Sequence, residues 1–139
     1  MSVEVDIVYK GDLLCEAVHG PSGNVIVTDA PVDNGGKGSA FSPTDLVGTA
    51  LGSCIVTIMG LMAKRKGLDI DGTQVNVVKD MAAVPVRRIG ALTVTITLPA
   101  GKVIAAEDRV RLENAAKTCP VKQSLHPDTQ VNLKFIYPD

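Results

Sequence analysis

The stretch SPTDLVGTALGSCIVTIMGLMAKRKGLDI, residues 42–70, decides the fold. It opens as a helix start: Ser42 in the cap position, Pro43 at the first helical position and Asp45 as the third residue of a capping box. The helix is expected to run to Lys66, where Gly67 stops it. At 1.5 Å per residue that is roughly 36 Å of helix. No charge falls between Leu46 and Ala63, so the length touches the transmembrane window. However, Gly48, Thr49, Gly52, Ser53, Cys54, Thr57 and Gly60 dilute its hydrophobicity, and a buried core helix is the expectation. A helix apolar all round needs cover on every face, more than one chain of this size readily supplies. Gly48 and Gly52 lie four apart on one face, where another backbone can approach closely. They fit either packing on the domain's own sheet or contact with a second subunit.

On the N-terminal side, residues 3–9 alternate and read as a half-buried strand, with Val3, Val5, Ile7 and Tyr9 pointing one way. Gly11-Asp12 turns the chain into a hairpin partner over Leu13–Val18, and a short strand is expected over Val25–Thr28. Residues 29–42, DAPVDNGGKGSAFS, form a long loop, and long ordered loops are often functional. On the C-terminal side, Ile70–Lys79 and Ala91–Leu98 read as strands, with Leu92, Val94, Ile96 and Leu98 on one face of the second. The intervening MAAVPVRRIG makes a loop or irregular hairpin connection. A second helix is expected over about Ala105–Thr118, with Glu107 and Asp108 in its first turn to suit the dipole. Leu112, Ala115, Ala116 and Cys119 form one apolar stripe along it. Pro120 interrupts, Val121–Leu125 fits one more helical turn, and Val131, Leu133, Phe135 and Tyr137 alternate in a last strand. The order implies one α+β domain over residues 1–139 with largely antiparallel pairing.

Composition narrows the function. Fourteen basic residues against fifteen acidic ones leave a net charge of −1, with no long basic run to track phosphates. The four aromatics Tyr9, Phe41, Phe135 and Tyr137 are too scattered to stack nucleic-acid bases, so no nucleic-acid partner is expected. Three cysteines are too few and odd in number for a secreted disulfide scaffold. The stretch MSVEVDIVYKGD is acidic and alternating, unlike a signal or transit peptide. A reducing cytoplasm and no membrane partner are the expectation.

Phosphate-loop, dinucleotide, metalloprotease and serine-hydrolase motifs are absent from the sequence. Gly35-Gly36-Lys37-Gly38 has a phosphate cradle's composition without its spacing, and reads as a flexible loop. His19 and His126 lie far apart with no local ligand spacing, so no metal is expected. Cysteines carry the sharpest signal. Cys54 sits near the middle of the long helix, and Cys119 ends the second helix on its apolar stripe. Both positions suit an ordinary small buried hydrophobe. That is the reading the residues alone favour; the functional alternative is a redox pair, in which one thiolate becomes a sulfenic acid and the other thiol condenses with it. A mid-helix thiol gains little from the helix N-terminus and needs a nearby cation to lower its pKa. Cys15 lies on a strand and reads as structural.

Residues 42–70 resemble the central helix of the OsmC family, which includes the osmotically inducible and the organic hydroperoxide resistance proteins. The carrying features are the Pro-led start, the small-residue run into Ser53-Cys54 and the charged helix end. AAKTCPVKQSLHPDTQV, residues 115–131, resembles the family's second cysteine motif. The resemblance implies intertwined homodimers of α+β fold, with the long central helices packed together and sites at the subunit interface. It implies a thiol-dependent peroxidase that prefers organic hydroperoxides. Cys54 then stands at the peroxide-attacking position and Cys119 at the resolving one. No metal or bound cofactor is implied, and an external dithiol reductant reduces the disulfide.

Two family features are altered. The peroxidase members hold the thiolate with an arginine from the N-terminal region, and no arginine precedes Arg65 here. Lys10 or Lys37 is a possible substitute without the guanidinium fork, and Arg87 or Arg88 could reach the site from another element. Where those members carry a glutamate after the helix-leading proline, this chain has Thr44 followed by Asp45, and Asp45 also serves as the cap partner. A second reading therefore stands beside the peroxidase: a non-peroxidatic dimer that binds a small apolar or thiol-reactive molecule at the interface.

Overall fold

A computed structural model describes residues 1–139. The chain divides into two compact units, residues 1–47 and 48–139.

The first unit is a three-stranded antiparallel sheet followed by a loop and the start of the long helix. Strands β1 (Val5–Gly11), β2 (Leu14–His19) and β3 (Val25–Asp29) pair in sequence order. Gly11, Asp12 and Leu13 all adopt positive φ, which closes the first hairpin. The expected strand alternation is present, but its burial is not. Val5, Ile7 and Tyr9 are 51–65% exposed. Cys15 pairs with Tyr9 and Thr28 in the middle of the sheet, consistent with a structural residue.

The loop after β3 is ordered by one carboxylate. Buried Asp29 accepts the Ser39 backbone N–H at 3.0 Å and the Ser39 hydroxyl at 2.6 Å. A Cβ at Gly36 would lie 1.8 Å from the Ala30 carbonyl oxygen, so only glycine fits that close approach. Helix α1 (Pro43–Lys66) then begins as its sequence requires. The Ser42 N–H donates to Asp45 Oδ2 at 2.9 Å, and the Asp45 N–H donates to Ser42 Oγ at 3.1 Å. That reciprocal pair is a capping box.

The second unit contains the rest of α1 and the main core. Gly67, at φ +67°, ends α1, and the Leu68 N–H reaches back to the Ala63 carbonyl at 2.8 Å in a Schellman-type stop. Strands β4 (Gln74–Ala82), β5 (Arg88–Thr97) and β6 (Gln130–Ile136) form the second sheet in the order β4-β5-β6. The strand expected from Ile70 starts four residues later. Asp71-Gly72 turns the chain there, with Thr73 N–H bonded to the Ile70 carbonyl at 3.1 Å. β4 and β5 are antiparallel, whereas β5 and β6 are parallel. Pairing thus remains largely antiparallel, with one parallel ladder that strand patterning did not reveal. The link between β5 and β6 carries α2 (Ala106–Ala116) and the short α3 (Pro120–Ser124).

One face of the sheet and one face of α1 make the core. Leu92, Val94, Ile96 and Leu98 are essentially inaccessible, as their alternation requires. They pack in one cluster with Leu51, Ile55, Met59 and Ala63 of α1 and with Leu112, Ala116 and Cys119. Gly48 and Gly52 face the sheet: a Cβ on Gly52 would lie 2.7 Å from Val77 and 3.2 Å from Val75. Of the two explanations for these glycines, packing on the chain's own sheet is the one observed. The helix is long and apolar enough to cross a membrane, yet only one of its faces is buried, and Leu61 is 48% exposed. The helix is thus a core helix on one side, and the chain leaves its other faces uncovered, as expected for a domain of this size.

Candidate functional site

Two elements of the second unit bring Cys54 and Cys119 together. Cys54 follows Leu51 by three residues and precedes Ile55, at the margin of the buried face of α1, so its side chain is half-buried. Cys119 completes the stripe Leu112, Ala115, Ala116, Cys119 and is fully buried. Pro120 begins α3 immediately after it, which fixes Cys119 as the residue where the chain turns from one helix into the next.

The two thiols lie close enough to influence each other. Burial pushes the Cys119 thiol above the ordinary cysteine range, and the neighbouring Cys54 thiol pushes it the same way. The backbone amides of Lys122 and Val121 oppose this less strongly. Cys119 is thus held as the neutral S–H form. The arrangement can do dithiol chemistry: one sulfur half-buried, the other in the core as a neutral thiol.

Asp45, Thr44 and Lys37 fall in the first unit and have local partners. Asp45 is the cap partner of Ser42, and the Thr44 hydroxyl lies 3.2 Å from Ser42 Oγ. Lys37 forms a 2.9 Å ion pair with Asp12, both exposed. Lys10 is exposed on β1. Of the arginines considered as substitutes, Arg88 donates to the Asp128 carbonyl at 3.4 Å, and Arg87 is exposed beside it. No group of three His, Cys, Asp or Glu side chains comes together.

Sequence reasoning missed two cations. An open groove of about 480 Å³ runs between α1 and α2, and Arg65 and Arg111 line it with Ile58, Leu61, Met62 and Thr118. Ile58 is one turn beyond Cys54, and Thr118 directly precedes Cys119. A signal was present for Arg65, since Cys54, Ile58, Leu61, Met62 and Arg65 recur at helical spacing on one face. Arg111 reaches the groove only through tertiary packing and had none.

A long helix carrying one cysteine, packed on a three-stranded sheet and meeting a second cysteine at a helix junction, defines a class of dithiol α+β proteins. The family model for OsmC-like protein matches residues 36–134, and this chain belongs to that family. A candidate osmotic stress induced and detoxification response protein from Psychrobacter arcticus 273-4 is 44% identical. Its structure superposes with a TM-score of 0.88 over 94% of this chain and 93% of that one. An organic hydroperoxide resistance protein OsmC from Legionella pneumophila shares the fold at 12% identity, with a TM-score of 0.78 over 98% and 97% of the two chains. The organic hydroperoxide resistance protein OhrB of Bacillus subtilis does so at 17% identity, with a TM-score of 0.69 over 97% and 98%. No curated protein matches the sequence.

Proposed function

We propose that this protein is a thiol-dependent peroxidase that reduces organic hydroperoxides through Cys54 and Cys119. The observation that supports it is the packing of half-buried Cys54 against the core cluster that contains Cys119, with Cys119 held protonated by burial. In the first step the Cys54 thiolate attacks the outer peroxide oxygen. The O–O bond breaks, Cys54 becomes a sulfenic acid, and the alkoxide leaves and takes a proton to give the alcohol. The Cys119 sulfur then attacks the sulfenic sulfur, forming the disulfide and releasing water. An external dithiol, supplied by an unidentified dithiol reductase, restores both thiols and is itself oxidised to a disulfide. No resident metal or organic cofactor takes part.

The working form we propose is a homodimer in the cytoplasm. The uncovered face of the first sheet supports it: Val5, Ile7, Tyr9 and Ile26 each remain at least half exposed, a patch that soluble chains usually cover. The family to which the chain belongs supports a stress-related redox role.

The test is a free-thiol count and intact mass on reduced protein before and after one equivalent of cumene hydroperoxide. The expected result is loss of two thiols and two hydrogens, mapped to Cys54 and Cys119. Thiols that stay intact while free dithiothreitol reacts normally would end the peroxidase reading. The second reading, a non-peroxidatic dimer binding a small apolar or thiol-reactive ligand, is favoured by one observation: no arginine precedes Arg65. Turnover no faster than a free thiol would select it.

A further inference from the structure

Helix α2 leads directly to Cys119, yet little apolar surface holds it down. On the stripe Leu112, Ala115, Ala116 and Cys119, only Leu112 is a large side chain, and each alanine buries a single methyl. A polar cluster gives the helix a second attachment. Arg109 and Glu113 stand one turn apart on α2, so both reach the same neighbour. That neighbour is Tyr137, just past the end of β6. Its hydroxyl donates to Glu113 Oε2 at 2.9 Å. The Arg109 guanidinium lies over its ring, 4.3 Å from the centre, and Arg109 Nε donates to the Ile104 carbonyl at 2.9 Å. The Tyr137 ring also packs against the core cluster that contains Cys119. Burial and the Glu113 carboxylate push the Tyr137 phenol above its ordinary range, so it stays a donor. The cluster ties the first helix of the β5–β6 crossover to the strand that ends it.

We infer that Tyr137, Glu113 and Arg109 are positioning residues for Cys119: they fix α2 against the end of β6 and so keep Cys119 in reach of Cys54. The inference rests on the thiol cycle proposed above. From Glu113 to Cys119 the chain advances roughly 9 Å at helical rise, a short lever for passing on the hold. Disulfide closure needs Cα atoms within roughly 4.4–6.8 Å, so a slide of α2 by a fraction of a turn forfeits it. A loosened α2 delays the attack of the Cys119 sulfur on the Cys54 sulfenic acid, the step that forms the S–S bond and releases water. A second hydroperoxide then oxidises the sulfenic acid to the sulfinic acid and leaves as its alcohol. The cluster thus chooses between two fates of Cys54 without touching the reacting atoms.

Tyr137→Phe removes only the hydroxyl and keeps the ring beneath Arg109. The first measurement needs no peroxide: native-state labelling of Cys119 by methyl methanethiosulfonate in a Cys54→Ser full chain, mapped by mass spectrometry. Adding Tyr137→Phe or Glu113→Ala should speed labelling about tenfold. Glu113→Gln, whose amide oxygen still accepts the phenol, should restore most of the protection. Thr73→Ala, which removes the 2.6 Å bond from that hydroxyl to the Ile70 carbonyl, should leave labelling unchanged. In the second measurement, on chains that keep Cys54, the dose of cumene hydroperoxide that takes half of Cys54 to sulfinic acid should fall about tenfold with Tyr137→Phe. The first oxidation of Cys54 should keep its rate. Unchanged labelling in Tyr137→Phe, or equal acceleration by Thr73→Ala, would overturn the inference. Labelling that responds as expected in a chain that consumes no cumene hydroperoxide removes the peroxidase and keeps the hold on Cys119. A normal cycle with unaltered labelling and dose does the reverse.

Discussion

Cys54 of α1 packs against the core cluster that contains Cys119, 65 positions away in sequence. The pairing is asymmetric: one sulfur is reachable and the other is sealed in the core. Asymmetry of this kind assigns different tasks to the two residues.

Replacing them singly should separate those tasks. Cys119→Ser should consume one equivalent of hydroperoxide to give the Cys54 sulfenic acid and a second to give the sulfinic acid, each oxygen seen by mass spectrometry. Cys54→Ser should consume none. Equal loss of the first turnover in both variants would contradict the assignment.

Alkylation should follow the same order. Iodoacetamide at pH 8 should modify Cys54 well before Cys119, since burial keeps Cys119 both protonated and shielded. The raised Cys119 pKa also has a sign for stability. The folded state favours the neutral thiol, so its contribution is complete below the ordinary cysteine range and is lost as pH rises through the folded value. Melting temperature should therefore fall from about pH 9 upward, and Cys119→Ala should flatten that fall.

The two glycines of α1 that face the sheet should respond oppositely to alanine. At Gly48 a Cβ meets Leu92 and Val77 at 3.5 Å, an ordinary contact, so the better helix propensity should stabilise by up to about 1 kcal/mol. At Gly52 the 2.7 Å approach to Val77 should outweigh that gain and destabilise by about 1 kcal/mol. Urea unfolding of both variants checks the pair.

Acid should loosen the loop after β3. Hydrogen bonds from the Ser39 hydroxyl and backbone N–H hold the Asp29 carboxyl below the usual carboxylate range. Its contribution is present above the ordinary value near 3.8 and is lost as pH falls through the lower folded value. Asp29→Asn should reproduce the loosening at neutral pH, read as faster proteolysis within residues 30–41. Unchanged cleavage would show that Asp29 does not order the loop.

The elements that sequence made legible are those whose signals are local. Ser42, Asp45 and Gly67 marked both ends of α1, and the alternation of Leu92 to Leu98 marked the core face of β5. The stripe ending at Cys119 placed that residue in the core before any partner was known. What stayed hidden depends on distant neighbours. Alternation in β1 could not say whether anything covers Val5 and Ile7. The strand character of β6 did not reveal that it runs parallel to β5. Arg111 shares the groove with Arg65 only because α2 lies beside α1.

The parallel β5–β6 ladder ties the chemistry to the order of assembly. Parallel neighbours cannot be joined by a tight turn, so the chain must complete a crossover before the sheet closes. Cys119 rides on that crossover, while Cys54 belongs to a helix formed from earlier residues. A nascent chain that has made Cys54 but not yet β6 holds a lone thiol with no neighbour to protect it from overoxidation. On the proposed thiol cycle, Cys54 thus gains its resolving partner only once that crossover has packed.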